Sequence, residues 1–184
     1  MNTYKEVIDI LGLEPLIPEG GMWVKSCQSE EMVPDGTIKG YSKDRPLFGA
    51  IYYLLTPNTC SSMHRLVTNE IWLHHSGPAV KLLLIYPDGR SEVRLLGQDL
   101  KRGERPQILV PKGVWQGATI DSESCERYGA DKENDEIFTF ISTTMTPEYQ
   151  ESDYVAGTFD DLKQYVAEEN LELLRVLTGE VVFG

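Results

Sequence analysis

Short β-rich runs, separated by turn residues, fill the middle of the chain. Their separators include TPN, SGP, PDG and PKG, which supply the fixed or positive φ angles of tight turns. Runs at a spacing of about 8–12 residues, with no helical crossover pattern between them, are typical of an antiparallel sandwich or barrel. The predicted strands are FGAIYYLL (48–55), CSSMHRL (60–66), NEIWLHH (69–75), AVKLLLIY (79–86), SEVRLL (91–96), RPQILV (105–110), VWQGATI (114–120) and EIFTFIST (136–143).

The flanking segments carry other patterns. A capping-box signature, Thr3 followed by Glu6, precedes apolar residues at helical spacing and predicts a short N-terminal helix. The MWVKSC run (22–27) predicts one further strand, and a second set of helical signals predicts C-terminal helices over about 158–178. The charged stretch 121–135 has no periodicity, so we expect an exposed loop or hairpin extension there.

Length and charge limit the class of protein. A chain of 184 residues fits one domain, so we expect a single domain over 1–184 with a β core of about 20–145. The 17 basic and 29 acidic side chains give a net charge of −12. Such a charge repels a phosphate backbone and an anionic membrane surface, which disfavours nucleic-acid and membrane partners.

Cysteine usage and hydropathy bear on the compartment. The three cysteines, Cys27, Cys60 and Cys125, are odd in number and form no CxxC pair, so we expect free thiols in a reducing compartment. The N-terminal segment has no continuous apolar block, and no stretch approaches the roughly 20 apolar residues of a membrane span. These features predict a cytoplasmic protein without a signal peptide.

Candidate chemistry lies on neighbouring predicted strands. Because strand side chains alternate between faces, Glu70, Trp72 and His74 share one face of the NEIWLHH run. Ser62 and His64 share a face of the preceding run, and a tight hairpin would bring His64 close to Glu70. If this face points into the barrel, a carboxylate and an imidazole line its interior.

Each candidate has a structural interpretation beside a functional one. His64 is a metal ligand, a general base or a hydrogen-bonded barrel residue, because imidazole both titrates near neutrality and binds borderline metals. Glu70 is costly to bury unpaired, so it belongs to a site or to a structural ion pair. His74 completes a polar pocket or orients Glu70. Trp72 and Trp115 are stacking walls for a ligand or residues of the core.

The spacing of these residues resembles the two motifs of the cupin superfamily. His64, Glu70 and Gly77 reproduce the spacing of the first motif. Residues 111–113, Pro-Lys-Gly, followed by Gln116 resemble the second motif. The resemblance implies a pocket inside the barrel that is built around these positions.

Two metal-binding positions differ from the motifs of metal-dependent cupins. In those proteins the first motif supplies two histidines and the glutamate, and the second supplies a further histidine, whereas this chain has Leu66 and Gln116 at two of the positions. A site of His64, Glu70 and Gln116 would offer three ligands, one of them a neutral amide. The resemblance leaves open one divalent ion, such as zinc, nickel, manganese or iron, and no metal at all.

Longer segments resemble one small-cupin family, the fifth cupin family, of largely unassigned function. It implies an all-β fold, a double-stranded β-helix (cupin jelly roll) like that of dTDP-sugar epimerases, often as a homodimer. Such epimerases pair a histidine base with a tyrosine acid, and by strand alternation either Tyr52 or Tyr53 must face inward. We take Tyr52 as the pocket candidate, but no aspartate partner for the histidine is identifiable. The similar segments are LGLEPLIPEGGMW, AIYYLLTPNTCSSMHRLVTNEIWLHHSG and LGQDLKRGERPQILVPKGVWQGA.

The sequence leaves three functions open. We favour a small-molecule pocket in the barrel, with or without a divalent metal. The second is an acid–base or metal-assisted enzyme of the epimerase or isomerase type, acting on a small carbohydrate-type metabolite through His64 and Glu70. The third is a non-catalytic dimeric binding or structural protein. For the dimer, the MWVKSC strand is the candidate contact, because jelly rolls expose sheet edges.

Overall fold

A computed structural model describes residues 3–41, 43–128 and 137–181. Within these ranges the chain forms four α-helices and thirteen strands. The helices are α1 (Tyr4–Leu11), α2 (Ser122–Arg127), α3 (Phe159–Leu162) and α4 (Leu171–Leu177). The strands are β1 (Glu14–Pro15), β2 (Met22–Gln28), β3 (Met32–Val33), β4 (Arg45–Pro46), β5 (Gly49–Leu55), β6 (Cys60–Arg65), β7 (Glu70–Ser76), β8 (Val80–Ile85), β9 (Ser91–Leu96), β10 (Gln107–Val110), β11 (Trp115–Ile120), β12 (Thr139–Met145) and β13 (Val155–Ala156).

Two antiparallel sheets pack face to face. The first sheet has six strands in the order β1-β2-β5-β12-β7-β10, and the second has five in the order β13-β6-β11-β8-β9. Strands that follow one another along the chain, such as β5 and β6 or β7 and β8, lie in different sheets, as in a jelly roll. The predicted all-β jelly roll with a short N-terminal helix and C-terminal helices is therefore confirmed.

The space between the sheets is filled by alternate residues of each strand. Tyr53 and Trp72 of the first sheet pack in one buried cluster with Leu82 and Leu84 of the second. Full burial of an aliphatic side chain of this size stabilises the folded state by roughly 1.5–3 kcal/mol. This apolar cluster fixes the distance between the sheets and so positions the polar side chains at one end of the barrel.

The C-terminal helices cover the outer face of the second sheet. Leu83 and Ile85 of β8 point away from the barrel interior and pack against Leu174 and Leu177 of α4. Because β8 is buried on both faces, its sequence is a continuous apolar run rather than an alternating one. A side chain at Gly117 of β11 would collide with the helix-facing residues of this second cluster.

The terminal helices begin at their predicted caps. Thr3 Oγ1 accepts a hydrogen bond from the Glu6 backbone N–H at 3.2 Å, and the Thr3 N–H donates to Glu6 Oε2 at 2.8 Å. Gly12 ends α1 at φ +66°, in the left-handed region that favours glycine. In the C-terminal segment, Thr158 Oγ1 accepts from the Asp161 N–H at 3.3 Å.

The prediction of a loop at 121–135 is wrong for the described residues of this stretch, which contain helix α2. The Asp121 carboxylate accepts from the Ser124 N–H at 2.9 Å, and Cys125 is buried. A helix of six residues is too short to show a helical period, so only its cap could have indicated it. Residues 129–136, which include the predicted start of the last strand, lie outside the described residues.

Two further features bear on the sequence predictions. Cys27, Cys60 and Cys125 are all free thiols, as expected. Across the described ranges, none of the helices has the length and apolar character needed to cross a lipid bilayer.

Candidate functional site

The inward face of β7 carries the three residues that strand alternation predicts. Glu70, Trp72 and His74 are all buried, whereas Ile71 and Leu73 on the other face are half-buried. Glu70 lies at the start of the strand and pairs with Val110 of β10 and Met145 of β12 in the sheet register. The carboxylate therefore sits at the end of the barrel, which we call the mouth.

A β-bulge in β6 decides which serine joins His64 on the inward face. His64 pairs with Gln116 and Ser61 pairs with Ala118, so one residue of β6 is extra between these two pairs. The bulge turns Ser61 inward, where its side chain is fully buried. Strict alternation predicts Ser62 in the pocket, whereas in the structure its backbone, and not its side chain, takes part in the site.

A hydrogen-bond network joins the side chains of Gln116, Glu70, His64 and Trp72. Gln116 Nε2 donates to Glu70 Oε2 at 2.6 Å and to His64 Nε2 at 3.2 Å. Gln116 Oε1 accepts from the Trp72 indole N–H at 3.0 Å, and the same N–H lies 3.2 Å from Glu70 Oε2. Since an indole N–H can only donate, it fixes the amide orientation and directs the Gln116 nitrogen at His64 and Glu70.

The network also fixes the tautomer of His64. His64 Nδ1 lies 2.7 Å from the Ser62 carbonyl oxygen, which can only accept, so the hydrogen is on Nδ1. His64 Nε2 then accepts from the Gln116 amide. The ring stacks on the phenol of Tyr154 with 5.2 Å between centroids and is only 1% exposed. His64 is thus held in a fixed orientation, and its Nε2, the ring nitrogen without a hydrogen, faces the Gln116 amide.

Glu19 is a further residue of this site that was not predicted from the sequence. Its Oε1 accepts from Ser61 Oγ at 2.5 Å, and its Oε2 lies 4.0 Å from His64 Nε2, too far for a hydrogen bond. The Glu19 carbonyl also accepts from the Ser62 N–H at 2.8 Å, which ties the loop before β2 to β6. Gly20 has φ +105°, and a side chain there would overlap the Cys60 carbonyl, so a glycine allows this close approach.

A cavity of about 910 Å³ opens at the mouth of the barrel. Its wall contains Glu19 and Glu70 together with Thr143, Tyr149 and Trp23. The volume lies within the range of small-molecule sites in proteins. The two carboxylates therefore stand at the boundary between the buried network and a space large enough for a metabolite.

Burial perturbs the acidity of the groups at the mouth. Loss of solvent raises the pKa of Glu70 above its ordinary value, and the nearby Glu19 acts in the same direction, while His64 opposes the shift. Burial, with Glu19 as the next contribution, raises the pKa of both Tyr149 and Tyr154 to about 12. The mouth therefore combines desolvation with neighbouring carboxylates, and both disfavour ionisation of a carboxyl or phenol group there.

Three predicted pocket residues lie elsewhere. His74 is buried about 13 Å along β7 from Glu70, where its Nε2 contacts the Pro78 carbonyl at 3.2 Å. Trp115 packs on the outer face of the second sheet beneath the C-terminal helices. Tyr52 points to the outer face of the first sheet and contacts Phe140, while its neighbour Tyr53 takes the inward position.

The residues at the two cupin motifs do not fit a divalent metal. The Gln116 oxygen is turned away towards Trp72, so its NH2 group faces the positions where ligand lone pairs would be needed. Leu66, at the place of a motif histidine, is buried and offers no lone pair. Throughout the described part of the chain, no group of three or more His, Cys, Asp or Glu side chains could hold a metal ion.

The two-sheet barrel with its polar mouth defines a jelly-roll protein of the cupin class. A family profile described as Cupin superfamily (DUF985) matches residues 5–156. The chain therefore belongs to this cupin family, which confirms the resemblance seen in its sequence motifs.

Individual relatives agree with this assignment. The chain is 30% identical over 130 residues to the Saccharomyces cerevisiae protein named Uncharacterized protein YML079W; the match covers 69% of this chain and 59%, less than two thirds, of the yeast protein. The crystal structure of protein SO0799 from Shewanella oneidensis is similar over 97% of this chain and 98% of its own, with 28% identity and a TM-score of 0.76. A hypothetical protein from Leishmania major shares the fold over the full length of both chains, with 24% identity and a TM-score of 0.73.

Proposed function

We propose that this cupin binds a small polar molecule in the mouth cavity and does so without a metal ion held by His64, Glu70 and Gln116. The observation that carries the proposal is the cavity of about 910 Å³ with Glu19 and Glu70 on its wall. A concave site with a few convergent polar groups on a rigid scaffold is the usual form of a ligand pocket. The cavity supports the small-molecule partner predicted from the sequence, and we propose the mouth as its binding site.

The rigidity of the polar network supports binding. Gln116 holds Glu70 and His64 at fixed positions, and Trp72 in turn holds Gln116. These side chains lie on strands of both sheets, so no loop movement is needed to assemble them. A preorganised site of this kind lowers the entropic cost of binding.

A ligand screen tests the binding proposal. Purified protein would be screened against a metabolite library by thermal shift. Each hit would be repeated with His64→Ala and with His75→Ala, a histidine on the exposed face of the other sheet. We expect at least one hit that raises Tm for the wild type and His75→Ala but not for His64→Ala. If every hit still raises Tm for His64→Ala, the proposed location of the binding site is contradicted.

Metal analysis tests the second half of the proposal. Protein purified without chelator or affinity-column metal should contain no stoichiometric zinc, nickel, manganese or iron and should take up none on addition. The double variant Leu66→His, Gln116→His restores the two motif histidines and serves as the positive control for the assay. Stoichiometric metal in the wild type that is lost in Glu70→Gln would contradict a metal-free site.

Acid–base catalysis is the second candidate function. Its support is the proximity of His64, whose Nε2 is the unprotonated nitrogen, to Glu70, whose pKa burial raises. A carboxyl of raised pKa beside an imidazole is suited to proton transfer near neutral pH. Turnover of a ligand found in the thermal-shift screen, with loss of turnover in Glu70→Gln, would distinguish catalysis from plain binding.

We also propose that the protein is a cytoplasmic homodimer. The free thiols of Cys27, Cys60 and Cys125 are consistent with a reducing compartment. In the described sheet, β1 pairs only with Met22 and Trp23, so the rest of the same edge of β2 is open to a strand of a second copy. Solution scattering would show a dimer for the wild type, and a monomer at micromolar concentration would overturn this assembly.

A further inference from the structure

Among the described residues, the buried carboxylates have a Lys or Arg partner, with one exception. Five Asp and Glu residues are buried among the described residues, and four of them have a Lys or Arg nitrogen within hydrogen-bonding range. The four pairs are Lys25–Glu148 at 2.7 Å, Arg45–Asp153 at 2.7 Å, Lys81–Asp121 at 2.9 Å and Arg102–Glu104 at 3.1 Å. Glu70, which is 6% exposed, is the fifth and has no such partner among the described residues.

The partners of Glu70 are neutral hydrogen-bond donors. The Gln116 amide and the Trp72 indole donate to its carboxylate, but neither carries a positive charge. The basic group of the network is His64, which lowers the pKa of Glu70, but burial outweighs its effect. A buried carboxylate without a Lys or Arg partner is costly, so its presence points to a charge supplied from outside the chain.

The same imbalance extends over the wall of the cavity. Among the described residues, the wall has five glutamates, Glu14, Glu19, Glu70, Glu148 and Glu151, but two lysines, Lys25 and Lys43. Lys25 is already engaged with Glu148. Glu19 uses one carboxylate oxygen to accept from Ser61 and keeps the other towards the site. A ligand that is rich in acceptors or carries phosphate would meet few donors here.

Aromatic rings favour an organic over an inorganic cation. Trp23 and Tyr149 lie on the wall beside the carboxylates. Ring faces attract ammonium groups, whereas an inorganic cation needs several ligands at once, a cluster that the described residues do not contain. We infer that the mouth cavity binds a small organic cation, a protonated amine, with Glu70 and Glu19 as its counter-ions. This inference rests on the proposed small-molecule function of the cavity.

The carboxylates around Tyr149 also favour a cationic ligand over an anionic one. The pKa of the Tyr149 phenol is raised to about 12 by burial and by the Glu19, Glu151, Asp153 and Glu70 carboxylates. Burial, the larger cause, disfavours either charge, but the contribution of the carboxylates disfavours an anionic ligand and favours a cation. A bound ammonium would stabilise ionised Glu70, so amine affinity should increase as the pH rises through the pKa of Glu70.

Indole resonances provide a direct test. The chain has three tryptophans, and 15N-labelled protein gives one indole N–H signal for each. Trp23 reports on the cavity wall and Trp72 on Glu70, while Trp115, on the outer face of the second sheet, is an internal control. The probes are glucosamine, N-acetylglucosamine and glucose 6-phosphate, which share a ring but are cationic, neutral and anionic, together with spermidine as an amine of different shape.

We expect glucosamine or spermidine at millimolar concentration to shift the Trp23 and Trp72 signals but not the Trp115 signal. Glu19→Gln and Glu70→Gln should each weaken that binding by at least about 10-fold, and Glu172→Gln on the exposed face of α4 should leave it unchanged. Each variant is checked for folding by its Trp115 signal.

Two outcomes would overturn the inference. If N-acetylglucosamine or glucose 6-phosphate shifts the Trp23 and Trp72 signals as strongly as the amines, the cavity binds small molecules but does not select a cation. If neither amine shifts these signals, the cationic ligand is refuted, and the proposed binding function is then decided separately by the metabolite screen.

Discussion

The buried carboxylates at the mouth of the barrel and those away from it differ in their charged partners. Away from the mouth, Asp121 lies 2.9 Å from Lys81, and Glu104 lies within 3.2 Å of both Arg102 and Arg127. At the mouth, Glu70 accepts from the neutral Gln116 and Trp72 side chains and has no Lys or Arg partner among the described residues. The first cluster is complete within the chain and has a structural role, whereas the second lacks a charge and faces a cavity. This difference distinguishes ion pairs that stabilise the fold from a candidate ligand-binding site.

The largest expected effect comes from breaking a complete pair. In Arg45→Met, Asp153 stays buried without the guanidinium that lies 2.7 Å away, so the free energy of unfolding should fall by about 3–5 kcal/mol. Urea denaturation measures the change. The control is Arg90→Met, whose long contact with Glu92 is exposed and should contribute less than about 0.5 kcal/mol. Equal effects of the two substitutions would contradict the structural role of the buried pair.

A smaller loss is expected when the neutral network at the mouth is disrupted. Trp72→Phe keeps most of the ring but removes the indole N–H that donates to Gln116 and Glu70. An unsatisfied buried acceptor costs about 1–3 kcal/mol, so stability should fall by that amount. The Gln116 amide also loses the group that fixes its orientation. A wild-type unfolding curve for Trp72→Phe would show that the network does not hold Gln116.

The dependence of stability on pH should show the unpaired charge. The pKa of Glu70 is raised by burial in the folded state, so between the ordinary glutamate pKa and this raised value the folded state binds more protons than the unfolded state. This group therefore contributes a loss of stability as pH rises through that window. In Glu70→Gln this contribution should be absent from curves of stability against pH. Parallel curves for the two proteins would refute a raised pKa.

The smallest effect is expected for Glu70→Gln at neutral pH. The amide oxygen can still accept from Gln116, and the buried charge is removed, so the free energy of unfolding should change by less than about 1 kcal/mol. Thermal unfolding measured beside Arg45→Met makes the comparison direct. A loss as large as that of Arg45→Met would mean that Glu70 is an essential structural residue rather than a group kept for a ligand.

The fold could be predicted in detail because its signals are local. Strand alternation placed Glu70, Trp72 and His74 on one buried face, and the turn residues set the strand boundaries. The cap at Asp121 was missed because α2 is too short to show a period.

The site could be predicted only in part because its geometry depends on long-range contacts. The bulge in β6, which exchanges Ser62 for Ser61, arises from pairing with β11 and leaves no mark in the sequence of β6 itself. Glu19 lies 45 positions before His64 in the sequence and reaches the site from a loop. The only sequence signal of this loop is the Gly20–Gly21 pair. Gln116 was identified as a candidate metal ligand, but its role as a donor depends on the orientation that Trp72 imposes.

The most direct measurement of the central claim is a pH titration of the Trp72 indole N–H signal in 15N-labelled protein. This N–H contacts the Glu70 carboxylate, so its chemical shift follows the ionisation of that group. An unpaired buried Glu70 predicts an inflection above the ordinary glutamate value of 4.5 that disappears in Glu70→Gln. An inflection at or below pH 4.5 would show that a positive charge within the protein already balances Glu70. That result would contradict the proposal that the mouth binds a cationic ligand.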